Sequence, residues 1–142
     1  MKRKASAVWH GDLKSGRGQI TTESTVLNAT QYSFGTRFEN GPGTNPEELI
    51  GAAHAGCFSM ALSAELGKAG FKADQISTSA TVTLDNHPKT SWTVTKIHLE
   101  TTAKVPGIDA EKFAAIAAGA KAGCPISRLL AAAEITLDAK LV

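Results

Sequence analysis

The sequence predicts an α+β fold in which antiparallel sheets wrap around one long central helix, all within a single domain over residues 1–142. Three observations carry this. The first 40 residues read as short strands and turns. Residues 47–68 form an apolar run without proline. Two long alternating segments, 74–85 and 91–105, then follow each other with no helix between them. Consecutive strands of that kind favour antiparallel pairing over a doubly wound parallel sheet. At 142 residues the chain is long enough to bury a core without staples.

The elements follow in order. "KASAVWH" is a short strand, and Gly11, Gly16 and Gly18 punctuate "GDLKSGRGQI" as a hairpin. The Gly/Pro/Asn-rich "FENGPGTNP" is a loop. Its two glycines, Gly41 and Gly43, are not followed by lysine at P-loop spacing, so a tight turn explains them better than a phosphate site. Asn45 is suited to be an N-cap, Pro46 the first helical residue and Glu48 the third position of a capping box. The helix then runs to Lys68, with Gly70 as its stop. Residues 49–62 are small or apolar on nearly every side, which predicts a helix buried all round. Gly51 and Gly56 each cost about 1 kcal/mol of helix propensity, so close packing is expected there.

Ile76, Ala80, Val82 and Leu84 alternate with Ser77, Ser79, Thr81 and Thr83, the pattern of a one-sided strand. In "SWTVTKIHLETTAKV" the apolar phase slips between Val94 and Ile97, which predicts a bulge near Thr95–Lys96. "PGIDAEKFAAIAAGAKAG" is a helix capped by Asp109, and "CPISRLLAAA" a short third helix. "EITLDAKLV" closes as a strand with Ile135, Leu137, Ala139 and Leu141 on one face. Trp9 and Trp92 are assigned to the core or an interface.

Composition excludes several classes. The net charge is +2 with both signs mixed along the chain, and no basic stripe marks a nucleic-acid face. The opening "MKRKASAVWHGD" is basic but lacks an apolar run, so it is not a signal peptide, and nothing later is expected to span a membrane. A cytoplasmic location is expected, where thiols stay reduced. Two cysteines there point to free thiols, metal binding or redox work.

Cys57 lies inside the apolar helix in "AAHAGCFSMAL", where an inert packed thiol is the ordinary case. Cys124 stands directly before Pro125. If Pro125 opens the short helix, Cys124 is its N-cap, where free N–H groups favour a thiolate. A buried helical thiol and a capping thiol together form the parts of a redox pair. An unperturbed thiol is only about 3% ionised at neutral pH, and apolar burial lowers that further. Cys57 therefore needs a cation, and Arg37 in "YSFGTRFENG" is the candidate, because it precedes the turn that feeds the cysteine helix.

"TRFENGPGTNPEELIGAAHAGCFSMAL" together with "CPISRLL" resembles the osmotically inducible protein C (OsmC) family of thiol peroxidases. The opening "KASAVWHGDLKSGRG" and the close "ITLDAKL" extend the likeness over the whole chain, and "GTNPEELI" leans toward the OsmC branch. The resemblance implies a peroxidase of organic hydroperoxides, and of hydrogen peroxide, that acts in oxidative or osmotic stress. It implies no metal, haem or other cofactor, and an external dithiol, of lipoyl type, as reductant. Cys57 would be the peroxidatic thiol and Cys124 the resolving one. Arg37 and Glu48 would form the ion pair that activates Cys57. The family also implies an intertwined homodimer with its site at the interface.

Glu48 and Cys57 are nine residues apart, which puts them on opposite faces of a regular helix and about 13 Å apart along it. Either the helix breaks near Gly51, or Glu48 and Arg37 serve the thiol of a second chain. Two other classes compete. His54 shares a helix face with Cys57, and with Cys124 and a fourth ligand from His10, His87 or His98 it would make a zinc site. A binding module for a small ligand or lipid would use the same apolar helix, but binding alone has no need of paired thiols.

Overall fold

A computed structural model describes all 142 residues. In chain order they form β1 (Ala5–His10), β2 (Arg17–Thr22), β3 (Thr30–Ser33), α1 (Phe34–Phe38), α2 (Pro46–Lys68), β4 (Gln75–His87), β5 (Ser91–Lys104), α3 (Ala110–Gly123), α4 (Pro125–Leu129) and β6 (Glu134–Leu141). The chain divides into two compact units, Met1–Leu49 and Ile50–Val142.

In the first unit β1, β2 and β3 form an antiparallel sheet in that order. The expected β1–β2 hairpin turns at Gly11, whose φ of 89° suits glycine, and the Asp12 carboxylate accepts hydrogen bonds from the N–H groups of Lys14 and Ser15. Gly18 leaves room for two rings. A Cβ there would collide with Tyr32 and Trp9, whose centroids lie 5.4 Å apart. Arg37 does not lie in a strand or turn, as its surroundings suggested. It lies in α1, which a reciprocal cap starts: Ser33 Oγ accepts from the Thr36 N–H and Thr36 Oγ1 from the Ser33 N–H. Asn45 caps α2 as expected, accepting from the Glu48 N–H at 2.9 Å, and Pro46 is the first helical residue.

In the second unit the sheet order is β4-β5-β6. β4 and β5 are antiparallel, and their register jumps from Thr83↔Lys96 to Leu84↔Val94. Thr95 is thus the extra residue of the expected bulge. β6 departs from the expectation of antiparallel sheets, because it pairs with β5 in parallel. The chain leaves β5, passes through α3 and α4 and returns along β5, and such a helical crossover brings a strand back parallel.

α2 is not buried all round. Within the chain only one stripe is covered, made of Gly51, His54, Phe58, Leu62 and Leu66 at spacings of three and four. Phe58, Leu62 and Leu66 join Leu99, Ala103, Phe113, Ala117, Ala120 and Cys124 in the core, and each large side chain buried there contributes roughly 1.5–3 kcal/mol. The glycines divide accordingly. A Cβ on Gly51 would lie 3.1 Å from the Ala80 carbonyl of β4, whereas one on Gly56 would meet open space. By length and composition α2 is apolar enough to cross a membrane, contrary to expectation. Its buried stripe belongs instead to the core just described. Trp92 is exposed rather than packed in that core.

α3 opens at Asp109, whose Oδ1 accepts from the Lys112 N–H, and its small residues Ala117 and Ala120 are fully buried. α4 is shorter than expected, a single turn and a half that ends at Leu129. Along β6 the four apolar residues Ile135, Leu137, Ala139 and Leu141 pack on the core side as the alternation requires.

Candidate active site

Cys124 occupies the joint between two helices. Its N–H donates to the Ala120 carbonyl at the end of α3, and its own carbonyl accepts from the Arg128 N–H of α4. It is the N-cap of α4 with Pro125 next, as the sequence indicated. A five-residue helix brings little dipole, so what acts on the sulfur is local. Cys57 projects from α2 to meet it, and the two sulfurs are 3.0 Å apart, both as free thiols. Cys57 is half-buried and Cys124 fully buried.

At 3.0 Å each sulfur influences the ionisation of the other, and the two titrate as a pair. Burial opposes charge on Cys124. Hydrogen bonding from the Cys57 thiol and the approach of the Ser127 N–H and hydroxyl and of the Ile126 N–H outweigh it, and the Cys124 pKa is lowered. None of these groups closes a formal capping bond at the sulfur. Cys57 moves the other way: burial and the adjacent Cys124 sulfur push it up, against the Ile126 N–H. Of the two thiols, Cys124 is therefore the more readily ionised and Cys57 the less.

Behind Cys124 lies a second pair. His54 is completely buried, and its Nε2 is 2.7 Å from the Ser127 hydroxyl. No group of three His, Cys, Asp or Glu side chains is arranged to hold a metal, so His54, Cys57 and Cys124 do not form the zinc site weighed from the sequence. The Nδ1 atom of His54 is buried with no partner. Burial lowers the His54 pKa, so the ring is neutral at neutral pH.

Arg37 has a carboxylate partner, but it is Glu47 rather than Glu48. Arg37 Nη2 donates to Glu47 Oε1 at 2.8 Å, and Nε contacts both carboxylate oxygens at 3.2 Å. The Glu47 side chain is only 14% exposed, and the guanidinium also lies 5.3 Å from the Phe38 ring. The Glu48 N–H is held by the Asn45 cap. α2 runs unbroken from Pro46 to Lys68, so the suggested break near Gly51 does not occur and Glu48 stays about 13 Å along the axis from Cys57.

The sequence brought forward the two thiols and Arg37. It missed Glu47 and Ser127. Glu47 and Glu48 are adjacent in a first helical turn, about 100° apart, and nothing in their own residues says which faces α1. Ser127 had a legible signal: it stands three residues after the N-cap, where a polar side chain reaches back toward the cap.

Similarity to known proteins runs over nearly all of the chain. The family described as OsmC-like protein matches residues 39–140. The peroxiredoxin OsmC of Escherichia coli (strain K12) is 56% identical over 139 residues, which are 98% of this chain and 96% of that protein. An organic hydroperoxide resistance protein OsmC from Legionella pneumophila superposes with a TM-score of 0.71 at 23% identity, covering 96% of both chains. OhrB of Bacillus subtilis, an organic hydroperoxide resistance protein, gives 0.69 at 22% identity over 98% of both. At those identities the two structures bear on the fold alone.

Proposed function

The chain belongs to the OsmC-like protein family, and from that premise we propose that it is a thiol peroxidase that reduces organic hydroperoxides, and hydrogen peroxide, with Cys57 and Cys124. The observation that carries this is the pair of free sulfurs 3.0 Å apart. The family match, residues 39–140, includes parts of both units and supports reading residues 1–142 as one functional domain.

The chemistry balances with the groups present. When the pair gives up one proton, the proton that remains crosses the S···S contact to leave Cys57 as thiolate and Cys124 as thiol. The thiolate attacks the peroxide O–O bond. Cys57 becomes a sulfenic acid, and the departing alkoxide takes the pair's proton and leaves as alcohol. Cys124, now a thiolate, attacks the Cys57 sulfur. The S–S bond forms, the S–O bond breaks and hydroxide departs into the buffered solvent. An external dithiol then reduces the disulfide, and the family resemblance favours a lipoyl-type one. No prosthetic group takes part. Small and apolar neighbours of Cys57, such as Ala61 in the core cluster, suit an alkyl hydroperoxide.

The proposal includes a cytoplasmic homodimer that acts in oxidative or osmotic stress. A straight α2 keeps Glu48 from its own Cys57, which supports delivery of Arg37 and Glu48 to the thiols of a second chain, with Glu47 holding Arg37 in place. The uncovered side of α2, where Met60 is 75% exposed, supports a partner chain as its cover.

Free-thiol titration and intact mass of the reduced protein, before and after an equivalent of cumene hydroperoxide, test the assignment. The expected result is loss of both thiols with a mass decrease of about 2 Da, abolished in Cys57→Ser. Two thiols left intact with the peroxide unconsumed would overturn it and return Cys57 to packing.

A further inference from the structure

Four groups lie close together in the interior of the second unit, Cys57 Sγ, Cys124 Sγ, Ser127 Oγ and His54 Nε2, with a contact closed at each end and no closed hydrogen bond between Cys124 and Ser127. The first and last links measure 3.0 Å and 2.7 Å. In the middle, Ser127 is the third residue of the helix that Cys124 caps, the position from which a side chain reaches back to the cap. The far end is unusual. His54 is completely buried, yet its Nδ1 has no partner.

That orphan atom decides the direction of the hydrogen bonds. A neutral imidazole carries one N–H, and a buried N–H without an acceptor is rarer and more costly than a buried lone pair without a donor. The proton is therefore on Nε2, where it donates to Ser127 Oγ, and the bare lone pair is left at Nδ1. With its oxygen already accepting, the Ser127 hydroxyl has its single proton free for the Cys124 sulfur. The opposite tautomer would draw the Ser127 proton toward the histidine and leave the sulfur without that donor.

Building on the two-thiol peroxidase reading above, we propose that His54, acting through Ser127, is a positioning residue for the resolving step. It turns the Ser127 hydroxyl onto Cys124 and holds that sulfur as the thiolate that attacks the Cys57 sulfenic acid. The neutral state of the buried ring agrees with this role. The step itself is the one already balanced: the S–S bond forms, the S–O bond breaks and hydroxide leaves. His54 gains and loses no proton in it. Of the two half-reactions, only the resolving one draws on this contact. Charge held on Cys124 favours resolution and gives no help to the first attack, which needs the charge on Cys57.

Single-turnover kinetics separate the steps, with dimedone trapping of the Cys57 sulfenic acid and intact mass for the disulfide. His54→Leu and Ser127→Ala should slow disulfide formation about tenfold while sulfenic acid forms at close to the wild-type rate. His54→Gln, whose side-chain N–H can donate to Ser127 from a similar place, should recover most of the loss. Equal slowing of both steps, an unchanged disulfide rate in Ser127→Ala, or a His54→Gln variant as slow as His54→Leu would overturn the proposal. Ser127→Ala and His54→Gln decide the matter if His54→Leu does not fold. A wild-type protein that consumes no peroxide is a different result, and it overturns the peroxidase reading itself.

Discussion

Two carboxylates in the first turn of α2 make the sharpest contrast at the scale of single residues. Glu47 holds Arg37 through a shielded, charge-assisted contact, whereas the Glu48 N–H closes the Asn45 cap. Loss of the Glu47 charge releases the guanidinium, so Glu47→Gln should lower kcat/KM about tenfold, a larger loss than Glu48→Gln causes. Steady-state kinetics with cumene hydroperoxide check this, and a larger loss in Glu48→Gln would restore that residue as the partner. His54 carries a second consequence. Its pKa in the fold lies below the ordinary histidine value of 6.5, so between the two the unfolded chain binds the extra proton and the folded one does not. Stability from this group is complete above pH 6.5 and is lost as the pH falls through that window, with a slope of at most about 1.4 kcal/mol per unit. Urea unfolding at several pH values should show this slope in the wild type and its loss in His54→Leu. An identical slope in both would assign the acid sensitivity elsewhere.

The helices and strands differ in how far their own residues determine them. Gly119 lies mid-way along α3 with open space where a Cβ would stand, so Gly119→Ala should add about 0.5–1 kcal/mol to unfolding stability. Gly51→Ala should show no such gain, because its methyl group must push against the Ala80 carbonyl at 3.1 Å. Chemical denaturation of the two variants gives the comparison, and equal gains would mean that α2 and β4 yield freely. The same difference between local and distant causes explains what could be read in the chain. The Asn45 and Asp109 caps, the bulge at Thr95 and the apolar face of β6 depend on neighbours in sequence, and each is where its residues indicate. α1 was hidden because five residues including Gly35 hold no periodic signal, and only the Ser33–Thr36 exchange starts it. The direction of β6 follows from the crossover that precedes it, which no residue of the strand records. Of the candidate site, the thiols stood out by type, whereas Glu47 and Ser127 are marked by their contacts with Arg37 and His54, which only the folded chain brings near.

For the molecule as a whole, the straight helix forces a choice that a mixing experiment resolves. A Cys57→Ser chain and an Arg37→Ala chain should each be inactive alone. Mixed heterodimers should recover about half the activity of a wild-type dimer of equal concentration, because one complete site is rebuilt from intact parts of both chains. No recovery, with heterodimer formation verified by native mass spectrometry, would place Arg37 and Cys57 of one chain in the same site.

The 3.0 Å spacing of the sulfurs also governs a race. In the proposed cycle, once Cys57 is a sulfenic acid, a second peroxide molecule competes with Cys124 for it, and a dead-end sulfinic acid forms where the peroxide wins. A tethered group in good alignment acts as though present at an effective concentration of about 10⁵ M or more, while free peroxide in a stressed cell is dilute. The internal thiol wins that competition by orders of magnitude. On the proposed mechanism the protein meets a sudden excess of oxidant and stays repairable, and the supply of reductant, rather than damage, sets how long it keeps working.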